Sequence, residues 1–149
     1  MPSSGSARIR EARPADIVPL VEMLGREFVP VAPDAANFDP ARAACVMARL
    51  PRIYLALWRD ELVGCLGLQH GTLWWTGTPI VTDQPLFVAE RARASTLAVD
   101  LLAAGERYAA ARGWPLVITV SSGTDTERKA AWLKRRGFRA LGGMYAKGL

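Results

Sequence analysis

Apolar positions along this chain change their period several times, and each change marks an element. Residues 7 to 12 read as a short strand. From Pro14 onward, Ile17, Leu20, Val21, Leu24 and Phe28 recur at the spacing that gathers side chains on one helical face. Pro14 suits the first helical turn, where an N–H has no intrahelical partner to lose. The stretch from Val29 to Asp39, rich in Pro, Ala and Asp, breaks the pattern as a loop, and Pro40 opens a second helix ending near Leu50. Ile53 to Trp58, the turn Arg59-Asp60-Glu61, and Leu62 to Gln69 read as a hairpin whose second strand is almost continuously apolar or glycine, and therefore central. A loop carrying Trp74, Trp75, Gly77 and Pro79 leads to a strand from about Ile80 to Val88. Thr96 to Arg112 is helical by the spacing of Leu97, Leu101, Ala104, Tyr108 and Ala111, with Gly113 as its stop. Leu116 to Val120 is a short buried strand, and Thr124 with Glu127 has the capping-box spacing that opens a helix closing at Gly137. Phe138 to Lys147 is the last strand or hairpin.

The resulting order, β-α-α-β-β-β-α-β-α-β, predicts an α/β fold with a mixed sheet covered by helices on both faces. Residues 1 to 6 are small and polar, a disordered tail by composition, and residues 7 to 149 are long enough for one domain with one core.

Half of the 149 residues are apolar, yet no apolar run approaches the ~20 residues of a membrane span, and Met1 to Arg13 is too polar for a signal peptide. A cytoplasmic protein without a membrane partner is expected. Cys45 and Cys65 lack metal-ligand spacing, so the reading includes no metal and no disulfide, and both are expected to be buried. The net charge of +5 comes mostly from arginine, which favours an acidic ligand. The charges are scattered, with Lys134-Arg135-Arg136 the longest run and placed at a helix end, so nucleic acid is the weaker candidate.

Residues 88 to 102 carry the most specific chemistry. An apolar strand runs into Arg93, a small-residue turn and then a helix. The first amides of a helix lack intrahelical acceptors, and small side chains at Ala94, Ser95 and Ala98 allow a phosphate to approach them. The alternative reading is a strand-to-helix connection capped by Ser95.

The spacing Val88, Arg93, Ala98 resembles the acetyl-CoA pyrophosphate loop of the GNAT-type N-acetyltransferases, with Glu90 at the usual proline and Thr96 at the usual first glycine. Ile9-Arg10-Glu11-Ala12-Arg13-Pro14-Ala15-Asp16 and Leu133-Lys134-Arg135-Arg136-Gly137-Phe138 resemble the family's first strand and helix start and the end of its fourth helix. Ser121-Ser122-Gly123-Thr124, with Gly142-Gly143-Met144-Tyr145-Ala146-Lys147, is similar to a branch found near phage-derived genes. The resemblance implies a GNAT-like, splayed sheet and transfer of an acetyl group from acetyl-CoA, as cosubstrate, to a primary amine of a small molecule or peptide. It implies that the pantetheine arm lies beside Leu86, Phe87 and Val88. The pyrophosphate would meet Arg93 and the amides of Ala94, Ser95, Thr96, Leu97 and Ala98, and Thr126, at the place of a common asparagine, would complete the cofactor-binding set. A homodimer is compatible with it.

Holding amine and thioester together can supply roughly 7–11 kcal/mol, whereas one general acid or base contributes about 10²–10⁴-fold. Positioning therefore dominates. Leu133 stands where many of these enzymes carry a tyrosine acid, which leaves Tyr145 as the nearest substitute. A lysine-like ammonium is only about 0.04% neutral at pH 7 and needs a base. Asp83, on the fourth strand, is the candidate, directly or through water; the plainer reading is a strand-end aspartate. Arg26 and Glu27 are weighed as acceptor contacts against ordinary surface residues. Adjacent strand residues face opposite sides, so at least one of Trp74 and Trp75 is expected to be packing. His70 is read as structural. A catalytically degenerate CoA-binding or regulatory module of the same fold is the alternative function.

Overall fold

The computed structural model describes residues 6–120 and 122–149. The expected tail therefore falls, apart from Ser6, outside the described residues; the Ser6 carbonyl accepts from Arg59 N at 3.3 Å.

Five strands are hydrogen-bonded in the order β1 (Ala7–Glu11), β2 (Arg52–Trp58), β3 (Glu61–Thr72), β4 (Pro79–Val88), β5 (Leu116–Val117). Neighbours are antiparallel except β4 and β5, which are parallel. The helices are α1 (Ile17–Glu27), α2 (Pro40–Arg49), α3 (Leu97–Ala110) and α4 (Thr126–Arg135). The expected mixed α/β architecture is present.

Local chemistry fixes the element ends. Asp16 accepts from Arg13 N at 2.7 Å and is gripped by both terminal nitrogens of Arg10 at 2.7 and 2.8 Å, which ties β1 to the start of the first helix. That pairing, with the Arg10 hydrogen bond as the larger cause, lowers the Asp16 carboxyl to about 2. Pro40 sits in the first turn of α2, and the Asp39 carboxylate caps it by accepting from Arg42 N at 3.1 Å. The β2–β3 turn has two residues, Arg59 and Asp60, both with positive φ (54° and 63°), the conformation that matches hairpin twist.

The continuous apolar run of β3 is explained by burial on both sides: Val63, Cys65, Leu66 and Leu68 are fully buried. α3 covers the face of Leu66 and Leu68, approaching so closely that a Cβ on Gly105 would lie 2.8 Å from Leu66. Leu50, just past α2, packs on the opposite face against Gly67. Leu20, Val21, Met23 and Leu24 bury the apolar stripe of α1, and Leu97, Leu101, Ala104 and Tyr108 that of α3. Ala111, also expected on that stripe, is exposed because the helix has already ended.

Four expectations are corrected. Cys45 is exposed on α2 rather than buried, whereas burial drives the Cys65 thiol up to about 12. The Thr124–Glu127 capping box does not form: the helix starts at Thr126 after Asp125 at φ 51°, and Thr124 Oγ1 donates instead to Val31 O at 3.1 Å. Trp74 and Trp75 lie in the β3–β4 turn, where strand alternation does not apply, and both are exposed, stacked edge-to-face on one another. Residues 138–149 form no strand. Gly142 and Gly148 hold positive φ, and Leu141, Met144 and Leu149 stay exposed, so too little apolar surface is covered to offset the entropy of ordering an extended ladder.

Candidate functional site

β4 and β5 are paired at only two positions, Val81 with Leu116 and Thr82 with Val117. One residue further a side chain takes over from the ladder: Asp83 Oδ1 accepts from Thr119 N at 2.7 Å and from Thr119 Oγ1 at 3.1 Å. Past that tie, Gln84 to Val88 have no strand partner on the β5 side among the described residues, so the sheet opens into a fork at its carboxyl end. Ligands of open α/β sheets favour such crevices.

The fork has a local cause. Between Leu66–Leu86 and Leu68–Asp83, Gly67 of β3 faces two β4 residues, Gln84 and Pro85. Pro85 has no N–H to give to a ladder, and Gly67 leaves room for the displaced backbone: a Cβ there would stand 2.1 Å from Gln84 O. The bulge bends β4 at the point where it leaves β5.

At the open end, β4 runs through a short 3-10 turn (Glu90–Ala92) into α3. Ser95 N and Ser95 Oγ both donate to Ala92 O, and Ser95 Oγ accepts from Leu97 N at 3.3 Å. These bonds spend the Ser95 and Leu97 amides. The amides of Ala94, Thr96 and Ala98 have no acceptor among the described residues. Ser95 thus closes the turn ahead of the helix, whose N-cap Thr96 makes no side-chain cap bond, while the amides of Ala94, Thr96 and Ala98 stay open. Thr96 sits at φ −80°, so its Cβ is unstrained, and its hydroxyl donates to Asp100 at 2.8 Å.

Arg93 Nε donates to Val88 O at 3.2 Å, which fixes the guanidinium at the end of β4. It lines a cavity of about 410 Å³ together with Arg26, Glu27, Val31, Glu90, Thr124 and Asp125. Glu27 is held by Arg91 at 3.0 Å, and Arg91 also reaches Glu61 at 2.9 Å. The structure thus gathers Arg93 and Arg26 with Glu27 around one cavity, and the open amides follow Arg93 along the chain.

The other expected residues are placed as follows. Leu86 is half-buried, Phe87 and Val88 are buried, and all three form the free flank of β4. Asp83 is 9% exposed; desolvation pushes its carboxyl above the usual range, opposed by the Thr119 hydrogen bonds. Thr126 is exposed at the start of α4 and Leu133 is buried. Tyr145 is 96% exposed on the irregular final segment. His70, on β3, bonds Tyr108 OH at 2.8 Å and packs edge-on against Trp114. Among the described residues no group of three or more His, Cys, Asp or Glu side chains could hold a metal ion, and no helix is long and apolar enough to cross a membrane.

Sequence reading missed Lys129. It lies on the α4 face shared by Thr126 and Leu133, half-buried, with Nζ donating to Ser122 Oγ at 2.7 Å. Helical spacing from Leu133 was the signal that could have found it.

No protein-family model matches the chain, and no curated protein matches it. Solved structures do. A ribosomal-protein-alanine N-acetyltransferase from Brucella melitensis biovar Abortus 2308 is 18% identical with a TM-score of 0.74, over 97% of this chain and 99% of that one. An aminoglycoside acetyltransferase from an uncultured soil metagenomic sample is 19% identical, with a TM-score of 0.71 and coverage of 97% and 99%. A transcriptional regulator from Bacillus halodurans C-125 is 18% identical, with a TM-score of 0.73 and coverage of 97% and 100%. At these identities the likeness establishes the fold, the mixed α/β fold of GNAT acetyltransferases. The phage-associated branch gains no support from it.

Proposed function

We propose that this chain is an N-acetyltransferase that moves an acetyl group from acetyl-CoA to a primary amine by direct attack in a ternary complex. The observation that carries this reading is the fork between β4 and β5 ending in three unspent amides beside Arg93. Alternating open donors and a guanidinium suit a diphosphate, and the unpaired flank from Leu86 to Val88 suits an amide-bearing arm. Acetyl-CoA would supply the activated acyl carbon.

The chain's own part is to hold, orient and deprotonate. The amine nitrogen would form its C–N bond as the C–S bond breaks and the electron pair leaves on sulfur as the CoA thiolate, and the amine's proton would pass through water to Asp83, whose buried carboxyl has a raised proton affinity. Positioning in the fork is the larger contribution, roughly 7–11 kcal/mol against about 3–5 for a base. Nothing in this mechanism rests on Tyr145.

Acetyl-CoA should raise the melting temperature of the chain, and Arg93→Ala or Thr96→Glu should weaken that rise. Thiol release should then follow with at least one amine from a panel that includes an aminoglycoside and a peptide with an N-terminal alanine, the chemistries named for two structural neighbours. No response to millimolar acetyl-CoA overturns the proposal. Stabilisation without thiol release across the panel assigns the chain to the degenerate CoA-binding class instead.

A further inference from the structure

Just past β5, the chain ties the two banks of the fork together through Thr119. Its amide and its hydroxyl both donate to the same oxygen, Asp83 Oδ1, at 2.7 and 3.1 Å. The strand ladder stops two residues earlier, at Val117 with Thr82, so an amide that could have continued the sheet is spent on a side chain. Asp83 is buried and Thr119 exposed, and the pair therefore joins an enclosed acid to an open residue of the opposite bank. No ion pair of the described residues includes Asp83. Burial raises its proton affinity, and the two Thr119 donors are the largest opposition, ahead of the amides of Asp83 itself and of Leu86. A carboxylate taken out of water stays charged only as far as donors reach it. Two donors on one oxygen also restrict its rotation and leave the other oxygen to take a proton.

We propose that Thr119 is a positioning residue for the base: it holds Asp83 by Oδ1 and so presents Oδ2 to the water that carries the amine's proton. The proposal rests on the reading of the fork as an acetyl-transfer site and deepens it. Oδ2 takes the proton that the attacking amine gives up, while the Thr119 hydroxyl acts through Asp83 and takes none itself. The residue that marks where β4 and β5 part is then also the one that favours the charged base.

Thiol release from acetyl-CoA, followed against pH with a responding amine of the panel above, tests this role in the full chain. Thr119→Val keeps the amide and the outline of the side chain but loses the hydroxyl donor. The pH of half-maximal kcat should rise by about one unit while KM for acetyl-CoA holds, and Thr119→Ser should restore the wild-type profile. A second readout needs no amine. A carboxyl whose folded proton affinity is higher loses more stabilisation as pH rises, so between pH 4 and pH 8 the melting temperature of Thr119→Val should drop progressively further below wild type. That widening should vanish when both chains also carry Asp83→Asn. An unshifted turnover profile, a gap that stays flat with pH, or a widening that survives Asp83→Asn overturns the role and leaves the acetyltransferase reading standing. No thiol release with any amine removes that reading, and a widening gap then makes Thr119 a tie of the fold alone, which overturns the role as well. Should Thr119→Val fail to fold, Thr119→Cys, a weaker donor, should shift the profile in the same direction by less, and no shift overturns the role.

Discussion

Asp83 ties β4 to Thr119 and is also the base of the proposed mechanism. Its folded-state proton affinity is raised by burial, so its contribution to stability is fullest at low pH and declines as pH rises through that raised value. Asparagine keeps an acceptor for Thr119 and carries no charge. The melting temperature of Asp83→Asn should therefore gain on wild type between pH 4 and pH 7, while turnover at pH 7 falls about a hundredfold for loss of a base. A variant that loses ground over that pH range, or that keeps full turnover, contradicts the assignment. At this scale the sequence revealed residues whose meaning is local, such as Pro40 in the first turn of α2, although the Asp39 cap beside it was read only as the end of a loop. It was silent on partners fixed by long-range folding: Asp83 with Thr119, Arg91 with Glu27, and Thr124 with Val31 lie 36, 64 and 93 positions apart.

Among the elements, the β4 bulge has the widest consequences. Gly67→Ala places a methyl 2.1 Å from a backbone oxygen that no rotamer change can move aside. It should cost about 1–3 kcal/mol, as overpacking does, and straighten β4 enough to abolish the acetyl-CoA response seen by thermal shift. A Gly67→Ala chain with wild-type stability and binding removes the bulge as the cause of the fork. Elements with strong periodicity were legible to within a few residues: α1, α2, α3 and the β2–β3 hairpin all stand where apolar spacing put them. Those that failed are the ones periodicity cannot decide. β5 keeps only two of the five residues expected because Asp83 replaces its ladder, and the last strand is missing because nothing covers its apolar side chains.

For the molecule as a whole, the order of elements and a mixed sheet between helices were readable from the sequence, since they follow from alternation of strand and helix periods. Which surfaces stay uncovered was not. Leu141, Met144, Tyr145 and Leu149 are 66–96% exposed, so the segment adds little to the core. Deleting residues 140–149 should change the melting temperature by no more than about 2 °C and preserve the acetyl-CoA shift. A larger loss means that these residues pack onto the rest. The cavity at the fork has its own fastening: Val31 and Thr124, both on its wall, are joined by one solvent-facing hydrogen bond. Such a bond is worth about 1 kcal/mol, so it holds the rim only lightly. Two stretches of chain distant in sequence thus meet at the rim of the cavity through a tie for which water can compete.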